Sequence, residues 1–244
     1  MILPGAIIGG LPKVKAVTFD GTNDNLSRAA LTGVSDGATG TLSMWLKFTG
    51  NENENQFIFD QGAMFRFSRR QADDASVPSR KKLIVTLAAA GPTSRISYTS
   101  GTAMELDTWY SILMSWDTAG TVECYFNDAL DTPVSSSVAA GTINYDSAMY
   151  VGSTTVPANR MAADAAEIWM DLTQKIDFTT EANRRKFITS GGRPAILGAN
   201  GEKPTGSSPD IYLKGPASNW GTNAGTGGNF TVTGTFTDAA TSPP

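Results

Sequence analysis

The chain of 244 residues contains no histidine and only one cysteine, Cys124. Without histidine it cannot form a Ser-His or Cys-His nucleophile pair, and no metal site within it can use an imidazole ligand. A single cysteine excludes an internal disulfide and a zinc site built from several cysteines. These absences exclude many hydrolytic and transition-metal mechanisms.

Charge and long apolar runs are also scarce. Charged residues make up 17% of the chain, below the roughly 25% that is usual, and the net charge is −4. Nucleic-acid-binding proteins carry a basic footprint, so we expect no nucleic-acid partner. No run approaches the roughly 20 apolar residues of a membrane span, and the first lysines follow the apolar start of the chain, the reverse of a signal peptide. The sequence therefore predicts no membrane insertion.

From residue 16 onward the dominant hydrophobic period is two. The clearest example is residues 42–48, where Leu42, Met44, Leu46 and Phe48 alternate with residues of the opposite face. Similar segments occur near residues 57–59, 64–67, 83–87, 95–98, 110–116, 122–126, 148–153, 165–172 and 210–214. Many short strands separated by turn residues predict an all-β antiparallel sandwich or barrel.

One helix is predicted, over about residues 180–190. It has the acidic Glu181 in its first turn, basic residues later, and Gly191 just after its end. Phe187 and Ile188 are expected to anchor this helix to the sandwich. The cysteine shares the parity of core residues on its strand, so we expect a buried, unreactive thiol.

Five segments follow one another in an order typical of one fold family. They are residues 16–26, with Phe-Asp-Gly-x-x-Asp, and residues 41–48, 109–128, 150–153 and 165–171. Together they resemble concanavalin A-like, laminin-G-type jelly rolls. Asp128 stands where the family's Tyr-x-Asn-Gly hairpin has glycine, so this turn must differ. The resemblance implies an antiparallel β-sandwich jelly roll over residues 16–177.

The C-terminal part carries a second resemblance. Residues 176–179, 183–188, 194–198, 201–204 and 225–231 are similar to laminin-G-like proteins of tailed bacteriophages and prophages. This resemblance implies a virion protein that is made in the host cytoplasm and exposed on the assembled particle. Its expected partners are other virion proteins and further copies of the chain.

The predicted organisation has three parts. Residues 1–15 form an apolar N-terminal arm, residues 16–177 the jelly roll, and residues 178–244 a helix-plus-strand extension packed on the sandwich. In the extension, residues 229–238 are predicted as one strand with Gly234 as a gap and with the aromatic residues and Val232 on one face.

A glycan platform is the first candidate site. Trp45 and Trp169 occupy the otherwise polar parity of their strands, beside Lys47, Glu167 and Asp171. If this face is open, the indoles could stack on sugar rings while the charged groups make hydrogen bonds. The alternative is that the arm or the C-terminal extension covers both tryptophans, since tryptophan is usually largely buried.

Calcium binding and catalysis are the other two candidates. Asp20 and Asp24 could supply the oxygen ligands that calcium prefers, but aspartate is common in glycine-rich turns for backbone reasons, so any calcium site should be weak. A retaining glycosidase needs two carboxylates about 5–5.5 Å apart, typically in Glu-x-Asp-x-x-Glu, and that motif is absent. Its nearest approximations are Glu52 with Glu54 and Glu167 with Asp171.

These observations predict a non-enzymatic virion protein, on the tail or capsid surface, that needs no cofactor. Its lectin-like sandwich would attach to host-surface polysaccharide or serve virion assembly. The alternative is a purely architectural decoration or cement protein. A polysaccharide-cleaving tail enzyme is a third, less favoured class.

Overall fold

The computed structural model describes residues 13–62, 64–71, 80–91, 93–155 and 159–244. Most of the predicted N-terminal arm therefore lies outside the described residues. The described residues form one α-helical turn, α1 (Glu181–Arg184), a 3-10 turn over Ala217–Asn219, and sixteen strands. The strands are β1 (Val17–Asp20), β2 (Asn25–Arg28), β3 (Thr39–Phe48), β4 (Gln56–Asp60), β5 (Phe65–Arg69), β6 (Lys82–Ala88), β7 (Ser94–Ala103), β8 (Tyr110–Asp117), β9 (Thr121–Phe126), β10 (Ala129–Leu130), β11 (Ser135–Val138), β12 (Met149–Val151), β13 (Ala162–Asp171), β14 (Ile211–Leu213), β15 (Thr231–Thr233) and β16 (Thr237–Asp238). No helix in this described part of the chain is long and apolar enough to cross a membrane.

The strands form two antiparallel sheets that pack face to face. Sheet 1 has the order β10-β9-β8-β3-β13-β1-β16, and β14 pairs with the far half of β13. Sheet 2 has the order β11-β7-β6-β5-β4-β12-β2-β15. Neighbours in space are often distant in sequence, as in the pairing of β13 with β1 and β3. The predicted all-β sandwich jelly roll is confirmed.

The core lies between the sheets and follows the predicted alternation. Leu42, Met44, Leu46 and Phe48 of β3 are all fully buried in it. They belong to one cluster with the inward residues of sheet 2, such as Phe67. Each such side chain stabilises the fold by about 1.5–3 kcal/mol through burial.

A β-bulge in β13 keeps its apolar residues on the core side. The pairing of β13 with β3 shifts between Ala166 and Trp169, and Glu167 has a positive φ of 47°. The extra residue changes the parity of the strand. As a result Ala165 before the bulge and Ile168 after it both face the core.

The C-terminal residues complete both sheets, and the prediction of one strand over residues 229–238 is wrong. β15 pairs with β2 in sheet 2, whereas β16 pairs with β1 in sheet 1. The chain changes sheets at Gly234, which has a φ of 89°. Val232 is 44% exposed while Phe230 is buried, so the expected common face is absent.

The predicted helix over residues 180–190 is also shorter than expected. The α-helix ends at Arg184, the chain continues in turn hydrogen bonds as far as Ile188, and Ile188 forms an isolated β-bridge with Pro194. Phe187 and Ile188 are nevertheless buried against sheet 1, as predicted. Burying these two side chains stabilises the segment more than further helical turns would, because short helices are marginal by themselves.

Candidate functional site

The outer face of sheet 1, where the sequence placed the glycan platform, is covered by the C-terminal segment. Trp45 is 2% exposed and Trp169 is fully buried. Both belong to a second apolar cluster that includes Phe178 and Phe187, and the Phe187 ring lies 5.1 Å from that of Trp169. The Trp169 indole N–H also donates to the Gly201 carbonyl at 2.8 Å. A sugar ring cannot stack on either indole while this segment is in place.

Lys47 makes contacts within sheet 1 and with the C-terminal residues. Its ammonium group lies 2.7 Å from an Asp164 carboxylate oxygen and donates to the Thr241 hydroxyl at 2.7 Å. It also sits over the Trp109 ring, 5.6 Å from the centroid. These contacts link β3, β13 and the C-terminal residues, and they assign Lys47 a structural role.

The two acidic residues of the predicted platform are buried. Glu167 accepts a hydrogen bond from the Tyr212 hydroxyl, and burial raises the pKa of Glu167 despite this bond and the nearby Lys214. Asp171 accepts hydrogen bonds from the backbone and hydroxyl of Thr173 and from the Gln174 amide. The structure brings Trp45 and Trp169 into one apolar cluster, but Lys47 and Asp171 lie at opposite ends of the β3–β13 pair, opposite Asp164 and Thr41.

Asp20 and Asp24 organise the turn between β1 and β2. Burial would raise the pKa of Asp20, but hydrogen bonds from the backbone N–H groups of Asn23, Thr22 and Asp24 hold it below its usual value. Asp24 is nearly fully buried, and burial raises its pKa. Its carboxylate accepts from the backbone N–H groups of Asp20 and Thr235. No group of three or more potential metal ligands occurs among the described residues.

A polar cleft of about 550 Å³ opens beside this turn. It is lined by Gly21, Thr22, Glu54, Asn159 and Arg160. Glu54 lies in a solvent-exposed loop, whereas Glu52 forms a 2.9 Å ion pair with the buried Arg69. The two glutamates do not act as a pair.

The outer face of sheet 2 is left open by the residues that the structure describes, and we call it the open face. One row of residues in register crosses all eight strands, and we call it the polar row. It comprises Ser137, Ser97, Thr86, Arg66, Asp60, Tyr150, Ser27 and Thr231. Every member except Asp60 is at least partly exposed. At the usual strand spacing the row extends over roughly 33 Å.

The centre of the polar row is held in place by its own contacts. Arg66 donates through Nε to Asp60 Oδ1 at 2.7 Å, and the other Asp60 oxygen accepts from the Thr155 backbone N–H at 2.8 Å. The Arg66 guanidinium also lies over the Phe57 ring, 5.5 Å from the centroid. Asp60 itself is fully buried. This arrangement fixes the direction of the arginine while leaving its end at the surface.

Two aromatic rings flank this centre. Phe57 is partly exposed and lies opposite Ser68 in the row next to the polar row. Tyr150 is partly exposed and lies opposite Asp60 on β12. Hydroxyls donate and accept hydrogen bonds, and aromatic faces accept apolar rings. The open face therefore offers polar groups and ring surfaces together along an extended surface.

The sequence profile of one family, the concanavalin A-like lectin/glucanases superfamily, matches residues 20–170. The chain belongs to this superfamily. Its two sheets are thus the sandwich of a lectin-like domain, as the resemblance implied. No curated protein sequence matches the chain.

Solved structures share this fold at low sequence identity. A candidate carbohydrate binding protein from Bacteroides ovatus ATCC 8483 is 13% identical with a TM-score of 0.68, and the match covers 95% of this chain and 62% of that one. The likeness therefore includes the C-terminal segment, and the chain spans less than two thirds of that protein. A heptameric pentraxin from Limulus polyphemus is 12% identical with a TM-score of 0.50, over 68% of this chain and 79% of that one.

The open face was not among the sites predicted from the sequence. The sequence does contain a signal for it. Arg66 and Ser68 on β5 and Thr86 on β6 are polar residues at outward positions of neighbouring strands. The predicted glycan platform falls on a face that the chain covers, because large aromatic residues at polar parity suit both a binding platform and a buried contact.

Proposed function

We propose that this protein is a non-catalytic glycan-binding module that binds an extended polysaccharide on the open face of sheet 2. One observation carries the proposal: the outer face of sheet 1 is filled by its own C-terminal segment, whereas the outer face of sheet 2 presents the polar row and the rings of Phe57 and Tyr150. The superfamily and the candidate role of the Bacteroides ovatus protein support the same ligand class.

The carboxylates on this face support binding over hydrolysis. A retaining glycosidase needs two carboxylates about 5–5.5 Å apart. Among the outward residues of the described sheet 2 strands, Asp60 is the one carboxylate, and both its oxygens are occupied. The buried Glu167 and Asp171 lie on the opposite sheet.

Glycan binding is tested with the full chain on an immobilised panel of bacterial surface polysaccharides. Saturable binding is expected, and Tyr150→Ala and Phe57→Ala should each weaken it about tenfold, the equivalent of about 1.4 kcal/mol of lost ring contact. Leu130→Ala is the control, because Leu130 is 65% exposed on β10 at the edge of the other sheet. Absence of binding across the panel, or equal losses in all three variants, would refute the proposal.

The finer proposal is that this module belongs to a bacteriophage virion and contacts host-surface polysaccharide from the tail or capsid surface. It is supported by the resemblance of residues 176–231 to laminin-G-like phage proteins. We propose further copies of the chain and other virion proteins as its partners. Mass spectrometry and immunogold microscopy of purified particles should detect the protein in fixed stoichiometry on the surface. Its absence from intact particles would contradict the virion assignment.

A second candidate function is architectural, as a decoration or cement protein. It is favoured by Leu130 on the edge strand β10, which is 65% exposed, and by Val134 in the connection to the edge strand β11, which is 50% exposed. Exposed apolar side chains beside unpaired strand edges suit an assembly contact. Under this function, Leu130→Asp should destabilise particles without changing glycan binding.

A further inference from the structure

Arg66 on the open face is positioned like a ligand-binding group. Its Nε is fixed by Asp60, and its guanidinium rests on Phe57. Neither of its terminal amino groups donates to any residue in the part of the chain that the structure describes, and its side chain is 38% exposed. The two contacts reduce the entropy that the side chain would lose on binding a ligand.

The charges of the open face have the opposite sign to those of the whole chain. The chain carries a net charge of −4. On the sheet 2 strands, by contrast, Arg66, Lys82 and Arg95 lie at or beside outward positions, against the single carboxylate of Asp60. Asp60 is fully buried and forms an ion pair with Arg66, so it adds no exposed negative charge to this face. The described strands of the open face therefore present more positive than negative charge to a ligand.

We infer that the polysaccharide bound on the open face is acidic, and that the two terminal amino groups of Arg66 bind its sugar carboxylates. This inference rests on the proposed glycan-binding function. A guanidinium matches a planar carboxylate with two parallel hydrogen bonds, which a lysine cannot make. Tyr150 lies two strands from Arg66 in the polar row, roughly 10 Å away, and offers its ring to the next part of the ligand.

The test uses the full chain and glycans of four kinds: neutral, uronic-acid-containing, sialylated and sulfated. Retention of uronic-acid-containing or sialylated glycans is expected, with affinity falling as salt is raised. Reducing the carboxylates of a bound polysaccharide to primary alcohols should abolish its retention. Arg66→Gln should weaken binding at least tenfold, and Arg66→Lys should recover only part of that loss.

Two further variants separate a binding effect from a folding effect. Arg66→Gln leaves Asp60 buried without its cation, so its melting temperature must be measured alongside binding. Lys82→Gln removes a positive charge from the same face without this effect and should weaken binding by a smaller factor. Lys186→Gln removes the same charge from an exposed site beside α1, against the other sheet, and should leave binding unchanged.

The outcomes distinguish this inference from the proposed function. Binding of neutral or carboxyl-reduced glycans as strongly as acidic ones would overturn the inference and leave the glycan-binding function standing. Binding of sulfated glycans alone would overturn the assignment of carboxylates. Binding of no glycan of any kind would overturn the proposed function itself.

Discussion

The hydroxyl of Tyr212 donates a hydrogen bond to the carboxylate of Glu167 between sheet 1 and the C-terminal segment. Glu167 is the positive-φ residue of the β13 bulge, and Tyr212 lies on β14, which pairs with β13 directly after that bulge. Lys214 extends over the Tyr212 ring and donates to the Gly198 carbonyl at 3.0 Å. The bulge therefore presents a buried acid to the segment that covers sheet 1.

This buried acid should make stability depend on pH. Burial raises the pKa of Glu167 in the folded protein, so the folded state binds more protons than the unfolded state above the usual pKa of glutamate. The stability associated with the protonated group is present below that usual pKa and is lost as pH rises through the folded pKa. Glu167→Gln should therefore remove a fall in the free energy of unfolding between about pH 4.5 and neutrality.

The measurement is chemical denaturation of both proteins from pH 4.5 to 8. Glu54→Gln is the control, because Glu54 is exposed and its side chain makes no hydrogen bond to the described residues. Its difference from the natural chain should stay constant with pH. A constant difference for Glu167→Gln as well would show that folding does not change the pKa of Glu167.

Docking of the C-terminal segment should depend on Phe187. Its ring contacts Trp169 and Phe178, with centroids 5.1 and 5.7 Å away. Phe187→Ala should lower the free energy of unfolding by about 3–5 kcal/mol and expose the segment to limited proteolysis. Ile196→Ala is the control in the same segment, since Ile196 is 50% exposed, and should cost less than about 0.5 kcal/mol. Similar losses in both variants would contradict the burial seen here.

The change of sheets at Gly234 should not tolerate a side chain. A Cβ there would lie 2.1 Å from Asp24 Oδ1, the oxygen that accepts the Thr235 N–H. Gly33 also has a positive φ, but a Cβ there would meet no atom within 4 Å. Gly33→Ala should therefore cost only the left-handed backbone strain, roughly 1–2 kcal/mol, and Gly234→Ala clearly more. Thermal and urea unfolding of the two variants measures this difference, and equal costs would count against the close approach.

The thiol of Cys124 should be unreactive in the folded protein. It is buried on the inner face of β9, and burial raises its pKa, with a further contribution from Asp131. The reactive thiolate is therefore scarce at neutral pH. A colorimetric thiol reagent should label the denatured chain fully and the native chain hardly at all, and reductant should not change the melting temperature. Rapid stoichiometric labelling of the native chain would disprove this.

Local sequence signals identified most strands but not the ends of elements. The alternation of residues 42–48 predicts both the strand and its core face, because a strand with one buried face must repeat with a period of two. The helix over residues 180–190 was overestimated because capping and charge signals do not report that Phe187 and Ile188 must reach sheet 1. Residues 229–238 were predicted as one strand rather than two. A glycine such as Gly234 is compatible both with a gap inside one strand and with a point where the chain leaves a sheet.

The sequence by itself determined the all-β class, the inner faces of the strands, the buried cysteine and the absence of histidine chemistry, because these follow from residue type and short-range periodicity. Only the tertiary structure decided which outer face is open. Trp45 and Trp169 have the same outward parity whether they face solvent or are covered by residues 178–200. Which of the two occurs depends on contacts between distant parts of the chain. The alignment of Arg66, Asp60 and Tyr150 likewise arises from the register of three strands, which no local pattern specifies.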